Sequence, residues 1–441
     1  MSELLAWAPE WSSVHLLLGQ VGDDLTDGLS VVLLLPPGLD ASLVRNWLDI
    51  QLERRDLRVC RLDLCREPSV PSDPAWIVQR ALVTVRGDPS GHASTRLAGA
   101  GLAELLEQES CPEVIMLHGL GHIDQDRRRA WLELVWRWAE EVRRLVRRPR
   151  TRPGVCLIEP ASTILPALPG DGLPPPAEVL VRLRWWWAMP SVLELRERVR
   201  ALSDARRDVE SAWRESLLAG VSAGDAPLAD QLWDCCPRTL AELLEALRQI
   251  ALARGIDPAP DTYEDEQRLC SLQARSAGAQ PSPPARWWEA WASGRVIASP
   301  EHGVEPHPAL LALRGERARV AHVLWRGQSE LVLTAVDRVR LGAARALSGV
   351  YGTRWHYTLC KLPAEQADCA RLDADPLAAE LGYLETIFRE AVPAANGGRR
   401  IAGDWQASVR TAAKARTEVA HYRALEFTAF SELWRQLLDG A

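Results

Sequence analysis

The chain has 441 residues, enough for two or three domains, and combines 47% hydrophobic with 25% charged residues at a net charge of −7. This is a globular composition, and the acidic balance excludes bulk coating of nucleic acid, so any RNA contact must be local. No apolar run approaches the length of a membrane span, and the opening MSELLAWAPEW has no basic segment followed by an apolar stretch, so the expectation is a cytoplasmic protein without a membrane partner.

The first half alternates strand-like and helix-like segments. An apolar run at 31–35 ends at Pro36-Pro37-Gly38 and is followed by an amphipathic stretch at 41–54. Further strands are predicted at 57–64, 114–117, 155–158 and 178–184, with an Arg- and Trp-rich helix at 128–147. Strands alternating with helices predict a parallel sheet covered on both faces. From residue 191 the pattern is helical, with helices at 192–202, 205–218, 227–233 and 240–253. Two stretches rich in Pro, Gly and acidic residues follow, GIDPAPDTYEDE and SAGAQPSPPAR, and both read as linkers. Beyond residue 308 only helices are predicted: 321–347, 377–391, 404–422 and a last one to 438. The fold class is therefore α/β plus all-α. Its parts are an α/β domain at 1–190, a helical extension at 191–275, a linker at 276–307 and a helical bundle at 308–441.

The first strand-turn-helix, SVVLLLPPGLDASLVRNWL, stands where a P-loop protein carries G-x-x-x-x-G-K-[ST]. That loop needs glycines so that backbone N–H groups wrap phosphates, and a lysine to reach their oxygens. Here Gly38 alone remains, two prolines remove donors, and the chain's only lysines are Lys361 and Lys414. The third strand ends in His118 where a Mg²⁺-binding acid is expected. The order of elements resembles a degenerate, inactive form of the STAND and AAA-like P-loop ATPases over about residues 10–250. ATP hydrolysis is not expected, and neither is a cofactor.

Near the C-terminus, Ala415-Arg416-Thr417-Glu418-Val419-Ala420-His421-Tyr422-Arg423 places an arginine and a histidine late in a predicted helix. A histidine can move the proton of a ribose 2′-hydroxyl, and a guanidinium can hold the phosphate as charge builds on it. The run, with its flank ARTEVAHYRALEFTAFSELWRQLL, resembles the R-x4-H motif of the HEPN family of helical bundles, which are often ribonucleases. The resemblance implies metal-independent RNA cleavage with Arg416 and His421 as catalytic residues and a homodimer through the bundle. It also implies a role in bacterial conflict systems, with partner proteins encoded in the same operon. Thr417 replaces the small polar Asn or Asp usual after the arginine. Five helical steps of about 100° set the two side chains about 140° apart, so they converge only when both flanks border a cleft, as between two copies. The competing expectation is a non-catalytic adaptor that docks on a separate ATPase or effector.

Other signals admit two readings each. Glu330 and Asp337, seven apart on one helical stripe, can orient His421 or neutralise Arg416, or can pair with neighbouring arginines on a wet face. His118, His122 and Asp124 have a spacing that could share a metal, or could cap the next helix; no metal is expected. Trp185-Trp186-Trp187 can stack bases or pack a sheet edge against another domain, and the second is the expectation. The basic run at 143–152 can touch phosphates or complement a helix dipole. EHGVEPHP, residues 301–308, reads as part of the linker. None of the nine cysteines forms C-x-x-C, which leaves no zinc ribbon.

Overall fold

The computed structural model describes residues 5–67, 69–85, 101–145, 152–168, 180–202, 208–259, 263–359, 366–395 and 398–439. Contacts divide it into two units. One comprises residues 1–194, 223–230 and 251–310; the other comprises 195–222, 231–250 and 311–441.

The first unit is built on a five-stranded sheet of order β2-β3-β4-β1-β5, with β1 (Ser30–Leu35), β2 (Val59–Asp63), β3 (Val114–His118), β4 (Gly154–Pro160) and β5 (Val181–Trp185). Every pairing is parallel, with Val32 opposite both Leu157 and Leu183. All six residues of β1 are buried, as a continuous apolar run in the middle of a two-faced sheet must be. Helices α1 (Ser12–Thr26) and α2 (Ala41–Glu53) cover one face, against β1, β4 and β5. Helices α3 (Ala75–Val85) and α4 (Gln125–Leu145) bring Ile77, Trp131 and Trp138 into one core with Val32, Leu34, Ile115 and Leu117. The sequence predicted these strands to within a few residues, and the parallel sheet fits a P-loop-like domain. Part of the predicted fifth strand, part of the 205–218 helix and most of the basic run at 143–152 fall outside the described residues.

The expected linker at 276–307 is not a linker. Trp287 and Trp291 are buried, and the hairpin β6 (Val296–Ser299) and β7 (Gly303–Pro306) follows them. The prolines 281, 283 and 284 make only a turn; beyond it, Trp288 and Trp291 lie 5.0 and 5.7 Å from Trp185, and Trp291 lies 5.9 Å from Trp187. The tryptophan triplet thus packs inside the α/β unit rather than at a domain edge, and Trp186 stacks on Trp47 of α2 at 6.1 Å.

The second unit is helical. Its spine is the 35-residue helix α6 (Arg317–Tyr351). Helix α5 (Val209–Val221) crosses it at two glycines: a Cβ on Gly327 would lie 2.0 Å from the Ser216 carbonyl oxygen, and one on Gly220 would lie 2.6 Å from that of Val323. This contact places α5 with the C-terminal helices, so the 191–275 extension does not stand as a separate segment but is shared between the units. Helix α7 (Gly398–Ala420) lies antiparallel to α6. Trp325 bonds Val419 near one end of the pair, and Gly342 faces Trp405 near the other. The buried Gln328 amide donates to the Leu425 carbonyl at 2.7 Å and accepts its N–H at 2.8 Å, which pins the turn into α8 (Phe427–Asp439). Phe430 of α8 is buried, edge-on to Trp213 of α5 at 5.5 Å. Among the described residues no helix is long and apolar enough to cross a membrane.

Candidate functional site

In the α/β unit the strand order reverses at β1 and β4: β1 leads off toward β2, and β4 leads back across β1 to β5. Open α/β sheets bind ligands in the crevice outside such strand ends. Here the turn after β1 rests on side chains. Gly38 has φ 85°, and a Cβ on it would lie 3.2 Å from Arg254 Nε and 3.6 Å from Pro227 Cβ. The Arg254 guanidinium forks over the Asp225 carboxylate, the two side chains being only 5% and 7% exposed. His307, read from sequence as linker, is buried with Nε2 2.8 Å from Asp225 Oδ2, while its Nδ1 accepts the Ala309 N–H at 3.1 Å. An Nδ1 that accepts carries no proton, so His307 is the neutral tautomer that donates from Nε2. Burial lowers its pKa, and the pull of Asp225 the other way does not restore it. Burial pushes Asp225 up, but Arg254 and His307 outweigh that and hold it below the usual carboxylate range. Asp225 also caps the helix that starts at Ala226, accepting the Leu228 N–H at 2.8 Å.

Beside this, at the end of β4, Glu159 accepts the N–H groups of Gly119 at 3.0 Å and Leu120 at 3.1 Å. Gly119 has φ 94°, so successive N–H groups converge into an anion-binding nest, occupied by the chain's own carboxylate. Burial raises the Glu159 pKa despite those two bonds. His118, at the end of β3, lies 3.9 Å from Asp63; burial and nearby arginines lower its pKa. Asp124 caps α4 by accepting the Arg127 N–H at 2.9 Å, while His122 is exposed. Among the described residues no group of three or more His, Cys, Asp or Glu could hold a metal ion.

In the helical unit a cleft of about 660 Å³ opens between α6, α7 and the chain from 371 to 381. Leu333, Val336 and Leu381 give it an apolar floor, and Arg340, Arg371 and Arg416 give it charge. Arg340 is fixed: it pairs with Asp337 at 2.7 Å and donates to the carbonyls of Leu377 and Ala379. Arg371 pairs with Glu380 at 3.1 Å. Arg416 is exposed and has no ion-pair partner among the described residues, so it is the cation left for a ligand. His421 is exposed one residue past the end of α7, its backbone N–H bonded to the Thr417 and Glu418 carbonyls at 3.1 and 3.2 Å, and it is not among the residues lining the cleft. The Thr417 hydroxyl donates to the Ala413 carbonyl at 2.9 Å within its own helix. Of the two acids on α6, Asp337 shares the cleft with Arg416, whereas Glu330 is held by Arg196 and supports neither Arg416 nor His421.

Sequence reasoning missed Arg340, whose i,i+3 spacing from Asp337 was the available signal. It also missed the ring cluster of His322, Trp325 and Tyr422 beside His421.

These features define a P-loop-like α/β unit whose strand ends are packed by its own side chains, and an all-α unit with an arginine-bearing cleft. No family model matches the chain, and no curated protein matches it at a significant level. The fold is similar to a chain in the structure of Drosophila ORC bound to AT-rich DNA and Cdc6, at TM-score 0.31 and 12% identity over 98% of this chain and 70% of that one. A chain of Drosophila ORC bound to GC-rich DNA and Cdc6 gives TM-score 0.29 and 11% identity over the same shares. Likeness at that level assigns neither family nor function.

Proposed function

We propose that the helical unit is a HEPN-like, metal-independent endoribonuclease in a bacterial defence system, controlled by the P-loop-like unit as a sensor. What carries the reading is Arg416: an exposed guanidinium without an ion-pair partner among the described residues, on a cleft, five residues before an exposed histidine. In this chemistry the neutral His421 imidazole takes the 2′-hydroxyl proton, O2′ bonds to the adjacent phosphorus, and the bond from phosphorus to O5′ breaks. A protonated imidazole returns the proton to O5′, leaving a 2′,3′-cyclic phosphate and a 5′-hydroxyl. Arg416 holds the phosphate oxygens as charge accumulates on them. The nucleophile comes from the RNA, so the mechanism asks nothing of a metal.

The angle of about 140° between the two positions makes the site composite, with Arg416 of one copy facing the partner's His421 in a two-fold dimer. Complementation tests this. Arg416→Ala and His421→Ala proteins, each inactive, should regain part of the cleavage when mixed, because one of the two sites in the mixed dimer is then intact. Mixtures that stay as inactive as their components, with dimers verified by sedimentation, would sink the composite site. A second reading, a non-catalytic adaptor docking on a separately encoded ATPase or effector, draws support from the Thr417 hydroxyl being spent on Ala413. On that reading both variants keep full biological activity, or lose it only together with dimerisation.

A further inference from the structure

Three rings form a ledge beside His421. Trp325 donates its indole N–H to the Val419 carbonyl at 2.8 Å, which fixes the ring at the seam of α6 and α7. His322 stacks on it, with centroids 5.0 Å apart and planes at 23°. Tyr422 closes on the same indole at 4.7 Å and is 65% exposed. A core cluster would be covered, but His322 and Tyr422 are both exposed. Tyr422 also holds φ at 57°, in the left-handed region, which is disfavoured for a residue with a Cβ. Glycine or asparagine would make the same helix exit with less strain, so the turn presents a ring at a cost in stability.

The ledge lies on the cleft's own stripe. His322 and Leu333 are eleven residues apart on α6, three full turns plus about 20°, which puts the ledge about 16 Å along the axis from the cleft floor. Cations mark both ends: Arg416 in the cleft, and Arg423 beside Tyr422, 69% exposed and 3.5 Å from Glu418. Flat ring faces with flanking guanidinium groups suit unpaired nucleobases on an anionic backbone. A base held by its face next to His421 is also a base removed from its neighbours' stack, and attack by O2′ needs that freedom to come into line.

We infer that His322, Trp325 and Tyr422 form a stacking platform for an unpaired base of single-stranded RNA, whose backbone then runs along the α6–α7 seam. The inference rests on the RNA reading above, and the experiment separates the two. The probe is a fluorescein-labelled single-stranded RNA dodecamer, bound to full-length His421→Ala protein so that it stays uncut, with anisotropy as the readout at fixed salt. Adding Tyr422→Ala should weaken binding about fivefold or more, the fold-change matching the low end (about 1 kcal/mol) of one base–aromatic stack. Tyr422→Phe, which keeps the ring, should bind within about twofold of the parent, and His322→Ala should weaken binding in the same direction as Tyr422→Ala. Ledge variants that bind as tightly as the parent would overturn the platform, even if the wild type cleaves RNA. Ring-dependent binding by a wild type that leaves RNA uncut would keep the platform and remove the nuclease. A parent that binds no RNA overturns both.

Discussion

Asp225 and Arg254 form a buried pair to which His307 also bonds, and removing either charge breaks that pair from one side. In Asp225→Asn the side chain can still accept the Leu228 N–H, but Arg254, 5% exposed, loses the charge of the Asp225 carboxylate. Breaking a buried pair from one side costs about 3–5 kcal/mol, because an uncompensated charge stays in low dielectric. Arg254→Met strands Asp225 in the same way and at a similar cost. The double variant strands nothing. Its cost should fall well below the sum of the two, with a coupling energy of about 3 kcal/mol, the upper range for members of one network. Native-state hydrogen exchange at residues 31–35 is the suitable assay, since these amides belong to the fully buried β1 and report opening of the α/β unit. Costs that add to within about 0.5 kcal/mol would refute the reasoning, since independent sites behave that way.

Acid should destabilise the α/β unit. His307 has a folded pKa below its unfolded value of about 6.5, so its contribution is complete above that pH and is lost as pH falls toward the folded value. Asp225 acts with the same sign at lower pH, its folded pKa also being depressed. Thermal melts between pH 7 and 5 should show the loss, and a variant His307→Gln should be flatter; a variant as steep as the wild type would point to another group, His118 first. Gly327→Ala drives a Cβ against the Ser216 carbonyl and should destabilise the helical unit by about 3 kcal/mol or more in urea titration; a loss under about 1 kcal/mol would show that α5 and α6 can separate cheaply. Mg-ATP should give no micromolar dissociation constant by calorimetry, since Arg254 and Pro227 lie against Gly38 and the chain has no lysine near the β1 turn.

The sheet was legible because its signals are local. The run at 31–35 is apolar throughout and ends in Pro-Pro-Gly, and the other strands are short apolar runs bounded by turns. The residues 276–307 were not legible because their order comes from far away: Trp288 and Trp291 are anchored by Trp185, about a hundred positions earlier, while the local prolines suggest only a break. Asp225, Arg254 and His307 come from three separate segments, and no periodicity links them. The packing of α5 with the C-terminal helices likewise depends on Gly220 meeting Gly327, a contact that exists only once both helices are packed. At the candidate site the motif helix and the Arg416–His421 spacing were readable. The fate of each neighbour was not, since Asp337 and Glu330 look alike on one stripe until Arg340 and Arg196 claim them.

The most direct test of the central claim is single-turnover cleavage of a defined single-stranded RNA in EDTA, with wild type and His421→Ala compared at matched folding. The wild type should cut the strand and leave 2′,3′-cyclic phosphate ends, and His421→Ala should slow the rate by about 10²–10⁴-fold, the usual loss for a general acid–base group. A His421→Ala protein that cuts at the wild-type rate, or a wild type that leaves the RNA intact, would contradict the assignment.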